Sequence, residues 1–212
     1  MNVIAVSQRV DYSSSREEKR DSLDQRLVAF LKEAGFVSAP VPNIIYSTKF
    51  KNENSKNHLK LFLDTISPQA IILSGGNDIG EYSERDLTES YLLEYAELNK
   101  LSVLGICHGM QMMALRAGSS LISIQGHVNT RHMLFGEIFQ EVNSYHNFGI
   151  TGCPKDFRVI ARSEDQNIEA IRHCSLSWEG WMWHPEREKY FAASDIERVK
   201  RLLNGRLKNI KN

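Results

Sequence analysis

Residues 102–111 read Ser-Val-Leu-Gly-Ile-Cys-His-Gly-Met-Gln, an apolar run that ends on a cysteine set between two glycines. Ser102 to Ile106 is short, continuous and apolar, the pattern of a strand buried on both faces. After Cys107 a helical pattern runs through Met113 and Leu115 to Gly118. A strand-to-helix turn this tight forces its apical residue into a strained backbone conformation. Side chains two positions to either side would block it, and Gly105 and Gly109 stand there. The helix that starts beside the sulfur aims its first amides and its dipole at it, which favours a thiolate and a nearby oxyanion. The pentapeptide alone also fits a buried structural cysteine packed by glycines.

Outward from this stretch, strands and helices alternate. Asn2 to Val6 reads as a strand. Asp21-Ser22-Leu23 opens a helix whose face is Leu23, Leu27, Phe30 and Leu31, stopped by Gly35. Phe36 to Val41 is strand-like, and Lys49 to Asn57 a polar loop before a helix through Leu59 and Phe62. Ala70 to Leu73 is a buried strand ending at Ser74-Gly75-Gly76, and Glu84 to Leu98 is helical. The second half holds short strand-like pieces at Leu121–Ile124, Ile138–Val142, Phe157–Ala161, Ile168–Ile171 and Gly180–Trp183, then a helix from about Asp195 to Leu203. Short continuous strands alternating with helices predict an α/β fold, a mostly parallel sheet covered on both faces. Trp178, Trp181 and Trp183 are expected on one sheet face, and Met110, Met112 and Met113 in helix packing. A single domain is expected over 1–204, with 205–212 a frayed polar, basic tail.

The composition narrows the function classes. The 212 residues carry 26 Lys plus Arg and 26 Asp plus Glu, with 42% apolar and 25% charged residues. Zero net charge argues against a general nucleic-acid binder, which needs a basic excess. No run approaches the roughly 18 apolar residues of a membrane-spanning helix, so no membrane partner is expected. The N-terminus lacks the basic stretch and cleavage site of a signal peptide. Three cysteines with no CxxC pair point to a reducing, cytoplasmic setting. Cys153 and Cys174 are expected as packed thiols. No pair of Cys or His ligands stands at finger-like spacing beside a second pair, so no metal is expected.

Two further motifs bear on Cys107. Trp183-His184-Pro185-Glu186 lies about 77 residues downstream. A cysteine nucleophile needs a base, and the base an orienting carboxylate. His and Glu two apart in an extended segment project the same way, so His184 can reach the sulfur while Glu186 fixes its tautomer. Leu73-Ser74-Gly75-Gly76-Asn77-Asp78 puts glycines at the end of a parallel strand, where bare amides can face a crevice and hold an oxyanion. Singly, these also read as a surface turn and a plain tight turn.

Gly-Ile-Cys-His-Gly-Met-Gln, Ser-Gly-Gly and His-Pro-Glu in this order resemble the class I glutamine amidotransferase superfamily. Ser7-Gln8-Arg9-Val10, Arg20-Asp21-Ser22-Leu23-Asp24-Gln25 and Val142-Asn143-Ser144-Tyr145-His146 resemble its stand-alone γ-glutamyl hydrolase branch. The likeness runs to about Leu203. It implies a flavodoxin-like three-layer α/β/α sandwich with the site at the C-terminal ends of the strands. It also implies Cys107 as nucleophile, His184 as base and acid, Glu186 as orienting residue, and the amides of Gly76 and His108 as oxyanion hole. Gly75, Gln111, Ser144, Tyr145 and His146 match positions that surround the glutamyl group, and Arg9 is a candidate contact. No cofactor is implied.

The resemblance leaves open what departs from the γ-glutamyl carbonyl: an amine, a polyamine, a folate or a phosphoramidate. Gln125 to His132 carries two histidines and an arginine, and His127 and Arg131 suit an anionic leaving group. The likeness of the whole chain narrows the expected substrate to a γ-glutamyl-CDP-amidate, split to glutamate and cytidine diphosphoramidate in capsule phosphoramidate biosynthesis. The alternatives are a glutaminase subunit that delivers ammonia to a separate synthetase, a non-catalytic binding module of the same fold, and a redox-sensing thiol protein.

Overall fold

The computed structural model describes residues 2–43 and 54–205. In chain order the elements are β1 Val3–Ser7, β2 Arg9–Ser13, β3 Glu18–Ser22, α1 Gln25–Glu33, β4 Val37–Val41, α2 Asn54–Ile66, β5 Ala70–Leu73, α3 Ser83–Asn99, β6 Ser102–Ile106 and α4 His108–Arg116. They continue as β7 Leu121–Ser123, β8 Val128–Met133, β9 Phe135–Gly136, β10 Glu141–Tyr145, β11 Phe148–Ile150, β12 Phe157–Arg162, β13 Ile168–His173, β14 Trp178–Trp181, a 3-10 turn Pro185–Arg187 and α5 Ala193–Leu203.

An eight-stranded sheet in the order β4-β1-β5-β6-β14-β13-β12-β9 forms the centre. β4, β1, β5, β6 and β14 run parallel, and β13, β12 and β9 add antiparallel pairs. Successive strand residues face opposite ways, so each parallel strand feeds two cores. Ile4, Val6, Ile72 and Leu104 meet Leu27, Phe30 and Leu31 of α1 and Ile196, Val199 and Leu202 of α5. Ala5, Ile71, Leu73 and Val103 meet Leu59 and Leu63 of α2, Leu92, Leu93 and Ala96 of α3, and Met110 and Met113 of α4. The result is the three-layer α/β/α arrangement the sequence predicts.

Local differences have local reasons. Residues 9–22 form a β2–β3 hairpin, so α1 starts later than expected, with Asp24 as its N-cap accepting from the Arg26 amide at 2.8 Å. α2 already includes residues 54–57, expected as loop, while the rest of that stretch and residues 206–212 of the tail lie outside the described residues. The strand expected at Ile138–Val142 sits at Glu141–Tyr145, because Ile138 is buried in the connection before it. β14 lies at Trp178–Trp181 rather than Gly180–Trp183. Trp178 and Trp181 are an odd number of residues apart, so they face opposite cores. Trp181 and Trp183 stack at 4.9 Å and 7°, and Trp178 lies in the other cluster. Cys153 and Cys174 are exposed, not packed, because both fall in turns outside the strands.

Candidate active site

The ends of β5, β6 and β14 converge, as the crevice rule for parallel sheets requires. Cys107 leaves β6 at φ 50°, ψ −101°, far from the regions an L residue ordinarily occupies. Neighbouring bonds hold it there: its amide donates to Trp181 O at 2.7 Å, and its carbonyl accepts from the Gln111 amide at 3.0 Å. The flanking glycines are a packing necessity. A Cβ on Gly105 would lie 2.5 Å from the Gly109 carbonyl carbon, and one on Gly109 would strike Leu73 O.

His184 follows β14, and its ring is 2% exposed. Its Nδ1 lies 2.6 Å from Glu186 Oε1, which leaves Nε2 for Cys107. Burial pulls the imidazole pKa down. The Cys107 sulfur and the Glu186 carboxylate outweigh burial and raise it to about 9. Gly75 lies close against this ring, and a Cβ there would collide with His184 Cε1. The backbone of His184 is also gripped. Asn143 Nδ2 donates to His184 O at 2.8 Å, and the His184 amide donates to Asn143 Oδ1 at 2.9 Å. Sequence reasoning used Asn143 only as part of a motif and gave it no role.

The Ser74–Asn77 turn rests on a buried polar network that sequence reasoning missed. Arg85 and Glu89 of α3 are fully buried and paired at 3.2 Å. Arg85 Nη2 donates to Ser74 O at 2.7 Å, and Ser7 Oγ to Glu89 at 2.7 Å. Burial raises the pKa of Glu89, but His108 and Arg85 beside it hold it down at about 2. His108 Nδ1 sits 2.6 Å from Asn77 O, which joins this turn to the Cys107 elbow. Gly76 is at φ 143°, and a Cβ there would meet Arg85 and Arg9. The amides of Gly76 and His108 therefore come from two segments bonded to each other. An Arg and a Glu four apart read equally well as an exposed helix pair, so no sequence signal separated them.

The other predicted residues divide. Tyr145 meets the His184 ring edge-on at 5.9 Å, and the Arg187 guanidinium lies 4.8 Å from the centre of the Tyr145 ring. Gln111 Nε2 donates to Phe148 O at 2.9 Å, tying α4 to β11. Ser144 donates its hydroxyl to His127 O at 2.7 Å. Arg9 pairs with Asp11 at 3.1 Å and, with Asp24, Ser74, Gly75, Glu186 and Arg187, lines a cleft of about 20 Å³. Arg131 is spread between Glu141 and Glu188, both at 2.9 Å. His127 and His146, flanking β8 and β10, are both buried and face Glu169 at 3.4 and 3.5 Å.

Comparison with known proteins places this geometry in context. The family model described as glutamine amidotransferase class-I matches residues 21–194. A γ-glutamyl-CDP-amidate hydrolase of Campylobacter jejuni is 36% identical over 126 residues, which span 57% of this chain and 63% of that enzyme. A glutamine-hydrolysing GMP synthase subunit of Methanothrix thermoacetophila is 37% identical over 134 residues, spanning 58% of this chain and 70% of that protein. The solved structure of a Thermoplasma acidophilum protein described as a GMP synthase subunit covers 97% of this chain and 96% of its own at a TM-score of 0.69 and 23% identity, a likeness of fold. Among the described residues no helix is long and apolar enough to cross a membrane.

Proposed function

We propose, from the premise that this chain belongs to the class I glutamine amidotransferase family, that it hydrolyses a γ-glutamyl amide through a thioester on Cys107. The observation that carries the reading is the His184 ring held between Glu186 and Cys107, opposite a cysteine fixed at positive φ. The Cys107 sulfur attacks the γ-carbonyl carbon. The amides of Gly76 and His108 take the charge that develops on the oxygen, a contribution of several kcal/mol, about 3 per donor. Because His184 is protonated at neutral pH, the proton for the departing nitrogen is already in place. The C–N bond breaks, the amine or amidate leaves, and a γ-glutamyl thioester remains. His184, now neutral, takes a proton from water as it attacks the thioester. Glutamate departs and the sulfur is regenerated.

The substrate we favour is γ-glutamyl-CDP-amidate, on the likeness to the C. jejuni enzyme. The cations beside the Gly75 cleft are Arg9 and Arg187, and these are the groups an anionic leaving group meets in this reading, in place of His127. The reading as a glutaminase subunit rests on the GMP synthase relative. Glutamate release by the purified chain separates the two. Cys107-dependent release from γ-glutamyl-CDP-amidate, weakened by Arg187→Ala, supports the hydrolase. Release from glutamine alone, quickened by an added synthetase, supports the glutaminase reading.

A further inference from the structure

Three histidines and a glutamate meet beside β8 and β10, apart from Cys107. Glu169 comes from β13 and His132 from β8, while His127 stands just before β8 and His146 just after β10. His127 Nδ1 and His146 Nε2 lie 3.4 and 3.5 Å from Glu169 Oε1, and His132 Nε2 lies 3.5 Å from Glu169 Oε2. All five atoms are buried and have no hydrogen-bond partner among the described residues. Their mutual ion pairs are long, at 3.4–3.5 Å, and a buried polar atom without a hydrogen bond costs about 1–3 kcal/mol, so five converging on one place suit a common partner.

The spacing says what kind. Charge-assisted N–H···O bonds run about 2.7–2.9 Å. The outer nitrogen of His127 makes one, with Nε2 at 2.9 Å from Asp165 Oδ2. The inner contacts are longer. Nitrogen and oxygen ligands about 2.0–2.2 Å from a tetrahedral centre stand about 3.3–3.5 Å apart along its edges. The ligand atoms of His127, His132 and Glu169 all lie within 4.8 Å of one another. The outer nitrogens complete the pattern. Metal-bound imidazoles give their second N–H to a carboxylate or a carbonyl, and here His127 faces Asp165 and His146 Nδ1 lies 3.2 Å from Phe148 O.

We propose that His127, His132 and Glu169 bind a zinc ion, with His146 facing the same carboxylate at 3.5 Å. Imidazole and carboxylate donors in a tetrahedral set suit Zn²⁺ among common divalent ions. The three donors are turned inward and stand apart from Cys107, so the role assigned to the ion is structural. It pins the β8–β10 ribbon to β13 of the central sheet. Through Phe148 O, which accepts from Gln111 and adjoins His146, the pin reaches α4 directly after Cys107. This reverses the expectation of no metal, which rested on the absence of paired ligands close in sequence. The donors come from β13, β8 and the residue before β8, brought together by folding. The inference stands whatever the substrate is.

The test is metal analysis of the native chain, purified without chelators or metal-affinity resin. About one zinc per chain is expected, with a fall in Tm when a chelator removes it. Glu169→Gln and His132→Gln should lose most of the zinc, while Cys107→Ala keeps it. Should the variants fail to fold, cobalt in the native chain gives the answer directly: a tetrahedral visible spectrum without a sulfur-to-metal band is expected. A native chain that holds no zinc after incubation and desalting would overturn the proposal. So would zinc retained by both variants, or an octahedral cobalt spectrum.

Discussion

Asn143 and His184 are bonded in both directions, side-chain amide to backbone carbonyl and backbone amide to side-chain oxygen, at 2.8 and 2.9 Å. The same Asn143 Nδ2 also meets Glu188 at 2.8 Å. The antiparallel β10 thus sets the position of a residue that follows a parallel strand of the main sheet.

Asn143→Ala should therefore reach His184 without touching it. Two buried backbone groups lose their partners, at about 1–3 kcal/mol each. We expect kcat to fall at least about tenfold, since about 1.4 kcal/mol is a factor of ten. The alkaline limb of the pH profile should shift lower, because the ring would sit less firmly between Glu186 and Cys107. A loss of Tm with an unmoved pH profile would count against this positioning role.

Gly75→Ala tests the close contact with the imidazole. The new methyl collides with His184 Cε1, and Gly75 is not at positive φ, so the effect comes from the ring and not from backbone strain. Displacing a catalytic group by about 1 Å can cost about 100-fold. A steady-state assay should show that scale of loss in kcat with near-native circular dichroism.

Cys107→Gly should be inactive yet more stable than Cys107→Ala. The backbone at φ 50°, ψ −101° costs an L residue about 1–3 kcal/mol, and glycine is largely spared it. Chemical denaturation of the two variants gives the sign directly. A less stable glycine variant would mean the elbow stores no strain.

The pH dependence follows from His184. Its folded pKa is raised to about 9 against about 6.5 in an unfolded chain. Its contribution to stability is fully present below about 6.5 and is lost as pH rises through about 9. Activity should fall over the same upper range, as the proton for the leaving nitrogen is lost. Glu186→Gln removes one of the two groups that raise the pKa, and its alkaline limb should appear at lower pH.

Arg85 and Glu89 are both fully buried. Removing one partner of such a pair costs about 3–5 kcal/mol. Arg85→Met and Glu89→Met should each lower stability by that order, and the double variant by less than their sum. Denaturant midpoints from a double-mutant cycle measure this. Additive losses would show that the pair acts only through its separate contacts to Ser7, Ser74 and His108.

Much of the fold was legible because it rests on local pattern. Short apolar runs at Ala70–Leu73 and Ser102–Ile106 cannot be satisfied except as strands buried on both faces, and the sheet places both at its centre. The boundaries of α3 at Ser83–Asn99 came within a residue of the periodicity. The second half was harder to read. Its short strands differ little from loops in composition, and β8 reads as a polar loop because most of its residues are exposed.

The site divides along the same line. Cys107 between two glycines and His184 two residues before Glu186 are relations across five residues or fewer, so sequence alone determined them. The backbone sterics of the elbow admit few other residues. Folding decided the rest. Arg85 and Glu89 look like any exposed i, i+4 pair until α3 packs against β1 and β5. His127, His132, His146 and Glu169 are scattered over more than 40 residues, and only folding, with β8 paired to β10, brings the three histidines to the Glu169 carboxylate. Spacing along a chain reports contacts within one element. Contacts between elements exist only once burial of their apolar faces has fixed how the elements meet.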